Sequence, residues 1–188
     1  MDEVAIFGGA FDPISIHHEE IAKATGMPTW IMPCYKHLFN KNSRLIDSSH
    51  RLQMVKLVES DQLKACDWEV VNKHSGSMYE TLTQLKKQYP SLIFHIVLGM
   101  DNANLVKEKW HCGEKLIQEN KFIIFTRKGY EPSVDWISDH KILEPKHDLS
   151  STMIRNAINN KNYKFAQEHL NPLVWDYICQ NKLYGYES

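Results

Sequence analysis

The sequence predicts an α/β fold: a doubly wound parallel sheet with helices on both faces and a small C-terminal helical segment at about 150–188. Three observations predict it. Short apolar runs that read as buried strands alternate with helical patterns along the 188 residues, the arrangement that gives a parallel sheet covered on both faces. Glycine, proline or a polar residue ends each run, so residues suited to chemistry gather at the carboxyl ends of the strands, where ligands bind in open α/β sheets. No repeat or low-complexity tract interrupts the alternation, and the length suits one domain, 1–188, with a full core.

The elements follow in order. Val4 to Phe7 is a short apolar run stopped by Gly8-Gly9, hence a buried strand. Ser15 to Ala24 reads as a half-exposed helix with Ser15 as N-cap. Thr29 to Met32 is the second strand, stopped by Pro33. Cys34 to Ile46 is polar and irregular, a basic loop carrying Lys36, His37, Lys41 and Arg44. Asp47 or Ser48 caps a helix with apolar positions at Leu52, Val55, Leu57 and Val58. Ala65 to Val71 reads as a strand and Tyr79 to Gln88 as a helix. Leu92 to Leu98 is a strongly apolar strand ending at Gly99, and Phe122 to Phe125 another, ending at Thr126-Arg127. Ile142-Leu143 fits a short edge strand, and Met153 to Asn159 and Val174 to Asn181 are helices.

Two strings near opposite ends of the chain point to phosphate chemistry. Gly8-Gly9-Ala10-Phe11-Asp12-Pro13 follows a strand and leads into a helix that carries His18. Adjacent glycines allow close backbone approach to a bulky anion. The first turn of a helix offers unpaired N–H groups and the positive end of the dipole. His18 adds a ring donor there. The plainer alternative is a strand-to-helix turn with an incidental histidine. Ser150-Ser151-Thr152-Met153-Ile154-Arg155 is the second string. Its hydroxyls cap a helix, and with Arg155 they also form a donor set matched to phosphate oxygens. Capping alone is the plainer reading.

The first string resembles the N-terminal signature of the nucleotidyltransferase superfamily, Gly-Gly-Thr/Ser-Phe-Asp/Asn-Pro-x-His-x-Gly-His, with Ser15 where the first histidine belongs and His17 where the glycine belongs. The second resembles that superfamily's Ile-Ser-Ser-Thr-x-Ile-Arg. Further segments resemble the nicotinate and nicotinamide mononucleotide adenylyltransferases. They are Gly99-Met100-Asp101, Lys109-Trp110-His111, Thr126-Arg127-Lys128-Gly129-Tyr130, His50-Arg51-Leu52 with Met54, and the closing Pro172-Leu173-Val174, Tyr177-Ile178 and Leu183-Tyr184. The likeness therefore spans almost the whole chain. Gly76-Ser77-Met78 departs from the family's Ser-Tyr-Thr, and Lys128 replaces a proline.

The resemblance implies a Rossmann-like fold and an adenylyltransferase joining a pyridine mononucleotide to ATP in NAD biosynthesis, with magnesium accompanying ATP. It implies His18 as the catalytic donor to the α-phosphate. Gly8, Gly9, Ala10, Phe11, Ser15, Lys41, Ser151, Thr152 and Arg155 are expected at the ATP phosphates. Gly99, Asp101, Trp110 and Arg127 are expected at the nucleotides, with Trp110 stacking on the pyridine ring. Each has a plainer alternative: Lys41 as a surface charge, Trp110 as packing, Asp101 as a helix cap. Other functions stay open: a related transferase acting on phosphopantetheine or a CTP-linked substrate, or a nucleotide-binding protein with weak or no catalysis.

Composition narrows the partners. The 43% apolar and 24% charged fractions suit a soluble globular chain. A net charge of −1 gives no field for a polyanion and argues against nucleic acid. No apolar run approaches the roughly 20 residues of a membrane span, and the acidic start Met1-Asp2-Glu3 is unlike a signal peptide. Cys34, Cys66, Cys112 and Cys179 are scattered without a C-x-x-C. They read as reduced thiols of a cytoplasmic protein, with no zinc spacing among them.

Overall fold

The structure, a computed structural model, describes residues 2–36, 45–74, 77–147 and 149–187. Its centre is a six-stranded sheet in the order β3-β2-β1-β4-β5-β6, every pairing parallel. The strands are β1 (Asp2–Gly9), β2 (Thr29–Pro33), β3 (Leu63–Ala65), β4 (Leu92–Gly99), β5 (Lys121–Phe125) and β6 (Lys141–Leu143). The strand order reverses between β1 and β4, which makes their carboxyl ends the topological switch point.

Period-two alternation sends successive side chains of each strand to opposite faces. Ala5, Phe7, Ile31, Val97 and Ile123 face one way. They pack under α1 (Ile16–Ala24), α2 (Ser48–Lys56), α8 (Ser151–Asn159), α9 (Tyr163–Glu168) and α10 (Pro172–Gln180). Val4, Ile6, Met32, Phe94, Ile96, Leu98, Phe122 and Ile124 face the other way. Against them lie α4 (Met78–Gln88), α5 (Met100–Ala103), α6 (Val106–Lys109) and α7 (Gly113–Glu119). The C-terminal helices thus share a core with the strand that begins the chain, and the expected doubly wound architecture is found.

Two readings need correction. The stretch expected as a strand from Ala65 to Val71 is two elements: β3 ends at Ala65, and Trp68–Val71 forms a short helix, α3. The run has no strict alternation. Asp67 starts a turn in which its carbonyl accepts from the Val71 N–H at 2.9 Å, which leaves Val71 largely exposed. Between Gly99 and Phe122, where the sequence pattern marks no element, the structure places α5, α6 and α7. Each is seven residues or fewer, too short to show a helical period.

The α6–α7 corner depends on Gly113. A Cβ there would overlap the carbonyl oxygen of Val106 and crowd the Lys107 backbone. Gly113→Ala is expected to lower stability by about 1–3 kcal/mol, the cost of overpacking a fixed site, measured as a lower urea midpoint at unchanged slope. An unchanged midpoint would show that the corner yields freely.

Candidate active site

The carboxyl ends of β1, β4 and β5 lie side by side. Gly8 and Gly9 pair with Met32 and Pro33, Phe7 pairs with Val97, and Gly99 pairs with Phe125. A Cβ on Gly8 would come within 2.8 Å of Met78 Cε, and one on Gly9 within 3.2 Å of the Phe11 ring. The paired glycines therefore let side chains close over the end of β1. Phe11 takes a left-handed backbone (φ 48°), a conformation that costs about 1–3 kcal/mol. Burial of its ring against Phe7 and His18, both with centroids 5.2 Å away, offsets that strain.

His18 lies in the first turn of α1. Its Nδ1 accepts from the Ser15 N–H at 3.1 Å, with Ser15 Oγ 2.9 Å away. Burial, then His17 and Arg127, push its pKa down to about 3. The ring is therefore neutral at physiological pH. Ser15 is only 1% exposed, with its hydroxyl against the His18 ring. His17 is buried and packs edge-on to His18 and Phe125.

The second phosphate string reaches the first. Ser151 Oγ donates to the Pro13 carbonyl at 2.9 Å. Arg155 donates from one guanidinium nitrogen to the Asp12 carbonyl at 2.7 Å and from the other to Thr152 Oγ1 at 3.1 Å. Ser150 is the N-cap, its hydroxyl accepting from the Met153 N–H at 3.3 Å. Residues remote in sequence thus join, with the N-termini of α1 and α8 on either side of the Asp12–Pro13 backbone. Two helix N-termini, a neutral imidazole and a guanidinium form an environment suited to a polyphosphate.

Gly99, Asp101 and Arg127 also come together. Arg127 donates to Asp101 Oδ2 at 2.9 Å, across two half-buried side chains. A Cβ on Gly99 would sit 2.6 Å from Asp101 Oδ1 and 2.9 Å from Arg127 Cδ, so that glycine makes room for the ion pair. Trp110 ends α6, partly buried against the second core face. Its indole N–H has no hydrogen-bond partner among the described residues. Ala10 sits on the β1 turn, its carbonyl accepting from Arg51 at 2.7 Å. Lys41 lies outside the described residues, as do His37 and Arg44. Among the described residues, no group of three or more His, Cys, Asp and Glu is arranged to hold a metal.

Two residues noticed only within resembling strings prove central. Arg51 is 1% exposed. It donates to the carbonyls of Ala10, Cys34, Tyr35 and Ile46 at 2.7–3.2 Å, knitting the phosphate turn to the end of β2. Its signal was a cation in a run of buried helix positions, Leu52, Met54 and Val55. Tyr184 donates to Asp12 Oδ1 at 2.8 Å, and no periodicity could have marked it.

Glu69 offers a test of this region. It accepts from Thr81 Oγ1 at 3.1 Å, and burial pushes its pKa up to about 7 despite Thr81, the Tyr35 backbone and Arg51. An acid with a raised folded pKa binds its proton more tightly when folded. Its contribution is complete below about pH 4.5 and is lost as pH rises towards 7, on the order of 3 kcal/mol in all. Glu69→Gln is therefore expected to lose less stability than the unaltered protein between pH 5 and pH 8, measured as urea midpoints. Parallel losses in the two proteins would refute the assignment.

Comparison with known proteins agrees with this geometry. Residues 6–157 match the model of the Cytidylyltransferase-like family. A probable nicotinate-nucleotide adenylyltransferase of Acholeplasma laidlawii is 33% identical, covering 96% of this chain and 97% of its own. One from Flavobacterium johnsoniae is 30% identical, covering 97% and 98%. Among solved structures, a Plasmodium falciparum nicotinic acid mononucleotide adenylyltransferase complexed with NaAD superposes with a TM-score of 0.78. The match has 24% identity and covers 100% of this chain and 99% of that one. At that identity the likeness is one of fold. With most of its length matched by the family model and nearly all of it aligned to full-length relatives, the chain belongs to the cytidylyltransferase-like family, in its nicotinate-nucleotide adenylyltransferase group.

Proposed function

We propose that the protein transfers the adenylyl group of ATP to nicotinate mononucleotide, releasing pyrophosphate and forming the dinucleotide used in NAD biosynthesis. The observation that carries this reading is the junction of Ser151 and Arg155 with Pro13 and Asp12, beside His18. The shared name of the full-length relatives supports the choice of mononucleotide. Four free cysteines suit a reducing cytoplasm, and no helix among the described residues is long and apolar enough to cross a membrane.

In this reading a 5′-phosphate oxygen of the mononucleotide attacks the α-phosphorus of ATP. The bond between that phosphorus and the bridging oxygen breaks, and pyrophosphate leaves with the bond's electrons. The attacking oxygen is already anionic near neutral pH, so the enzyme supplies position and electrostatic stabilisation rather than a strong base. His18 donates to an α-phosphate oxygen, helped by backbone N–H groups from Gly9 to Phe11. Ser151, Thr152 and Arg155 hold the β- and γ-phosphates, and Lys41 is assigned to them by resemblance. Asp101 and Arg127 receive the mononucleotide, and Trp110 stacks on its ring. Magnesium enters as part of the ATP substrate.

The direct test is pyrophosphate release with ATP and magnesium, and nicotinate mononucleotide, nicotinamide mononucleotide or phosphopantetheine in parallel, with CTP-linked transfer as a further arm. Nicotinate mononucleotide is expected to give the highest kcat/KM. Release only with phosphopantetheine or CTP would move the protein to another branch of the family. His18→Ala is expected to cut kcat on the order of 10²-fold, the size of losing one oxyanion-type donor. A variant with near-normal turnover would remove His18 from the mechanism.

A further inference from the structure

The hydroxyl of the residue at position 15 lies 2.9 Å from the ring assigned to the chemistry. A backbone N–H can only donate, and the Ser15 N–H points at His18 Nδ1 from 3.1 Å. Nδ1 must therefore present its lone pair, since a proton there would face the amide hydrogen. In an imidazole, the bond made at one nitrogen decides which tautomer the other adopts. The Ser15 hydroxyl, 2.9 Å from the same nitrogen, is a second donor to that lone pair. Ser15 is itself fixed as the N-cap of α1 in extended conformation. Its carbonyl accepts from the Glu19 N–H at 3.2 Å, and the next residue, Ile16, donates to the His169 carbonyl at 3.2 Å.

We infer that Ser15 is the positioning residue of this site, locking His18 in the tautomer that carries its single N–H on Nε2. The rings of Phe7, Phe11 and His17, with centroids 5.2–6.1 Å from that of His18, leave the imidazole little freedom to turn. Nε2 is then the one ring donor left for a phosphoryl oxygen. Position 15 thereby prepares the histidine assigned to the phosphate. The neutral state of His18 fits this arrangement, because protonating Nδ1 would break the bond from the Ser15 N–H and reverse the one with the Ser15 hydroxyl.

This inference rests on the transferase reading for its consequence in turnover, but its structural core can be read without catalysis. Nitrogen-15 correlation spectra of the full, uniformly labelled chain report the tautomer of each histidine. His18 is expected to show an unprotonated Nδ1 and a protonated Nε2. A proton on Nδ1 overturns the inference whatever the activity. Ser15→Ala keeps the amide donor and loses the hydroxyl. It is expected to shift the His18 Nδ1 resonance and to lower kcat about 3- to 10-fold with KM for ATP unchanged, the size of one neutral hydrogen bond. Ser15→Thr, which restores the hydroxyl, is expected to recover both. An alanine variant with unchanged spectrum and turnover, or a threonine variant that recovers neither, overturns the role given to the side chain. If the unaltered protein releases no pyrophosphate with any mononucleotide, the transferase reading fails, and the spectrum still decides the tautomer.

Discussion

The site depends on a buried carboxylate. Asp12 is 1% exposed. Its side chain accepts from Tyr184 at 2.8 Å and lies 3.7 Å from the Arg155 guanidinium, which also donates to its backbone carbonyl. Burial still outweighs these partners and holds its pKa above the ordinary carboxylate range. Its Oδ2 has no hydrogen bond among the described residues, so the nearby Arg155 charge matters, because an unpaired buried charge costs several kcal/mol. The partners come from α8 and from the turn after α10. The first loop of the chain and its last helices are therefore tied to each other through Asp12. This is a specific constraint, unlike the apolar contacts behind it, which would accept many arrangements of similar area. It draws the N-terminus of α8 over the phosphate turn.

Arg51 answers the same problem from the other side. Four carbonyls, from Ala10, Cys34, Tyr35 and Ile46, turn inward onto one guanidinium. Each is a partly buried acceptor satisfied by this one side chain. A loop whose carbonyl oxygens are taken up by an interior cation is well placed to offer its N–H groups elsewhere. The planar fork also fixes where those carbonyls sit relative to one another. Asp12 and Arg51 thus share the work: one ties the phosphate turn to the C-terminal helices, the other ties it to the end of β2.

Much of this was legible in the sequence, for reasons particular to each element. Strands buried on both faces read as continuous apolar runs, so Val4 to Phe7 and Leu92 to Leu98 could be placed, and Gly-Gly and Gly99 marked their ends. Ser15 and the Ser150-Ser151-Thr152 cluster were readable as caps because capping is local chemistry. Ala65 to Val71 misled because a valine pair after a tryptophan looks like a strand, while the turn at Asp67 leaves no trace in periodicity. The short helices α5 to α7 were hidden for want of length. At the site, residue types and spacing singled out His18, Asp101, Arg127 and Arg155. The pairing of Asp101 with Arg127, and of Ser15 with His18, was not legible, since such pairings are tertiary facts. Arg51 and Tyr184 were quoted only as parts of resembling strings, because their roles depend on partners at 41 and 172 residues' separation.

The electrostatics of the site follow from which donors remain. A guanidinium has five N–H donors. Arg155 uses one on Asp12 and one on Thr152, and Arg127 uses one on Asp101. Among the described residues, both cations are held in place by the protein through only these few donors. Their positions are therefore set by the protein's own contacts. His18 adds direction without charge: a neutral ring contributes a single aimed N–H. A cationic ring beside Arg127 would have raised the cost of the empty site, and both of its protons could not have been matched. Positive charge on guanidinium groups and helix ends, beside a neutral imidazole, is the arrangement the proposed transfer calls for, since it favours negative charge without a cationic ring to accommodate.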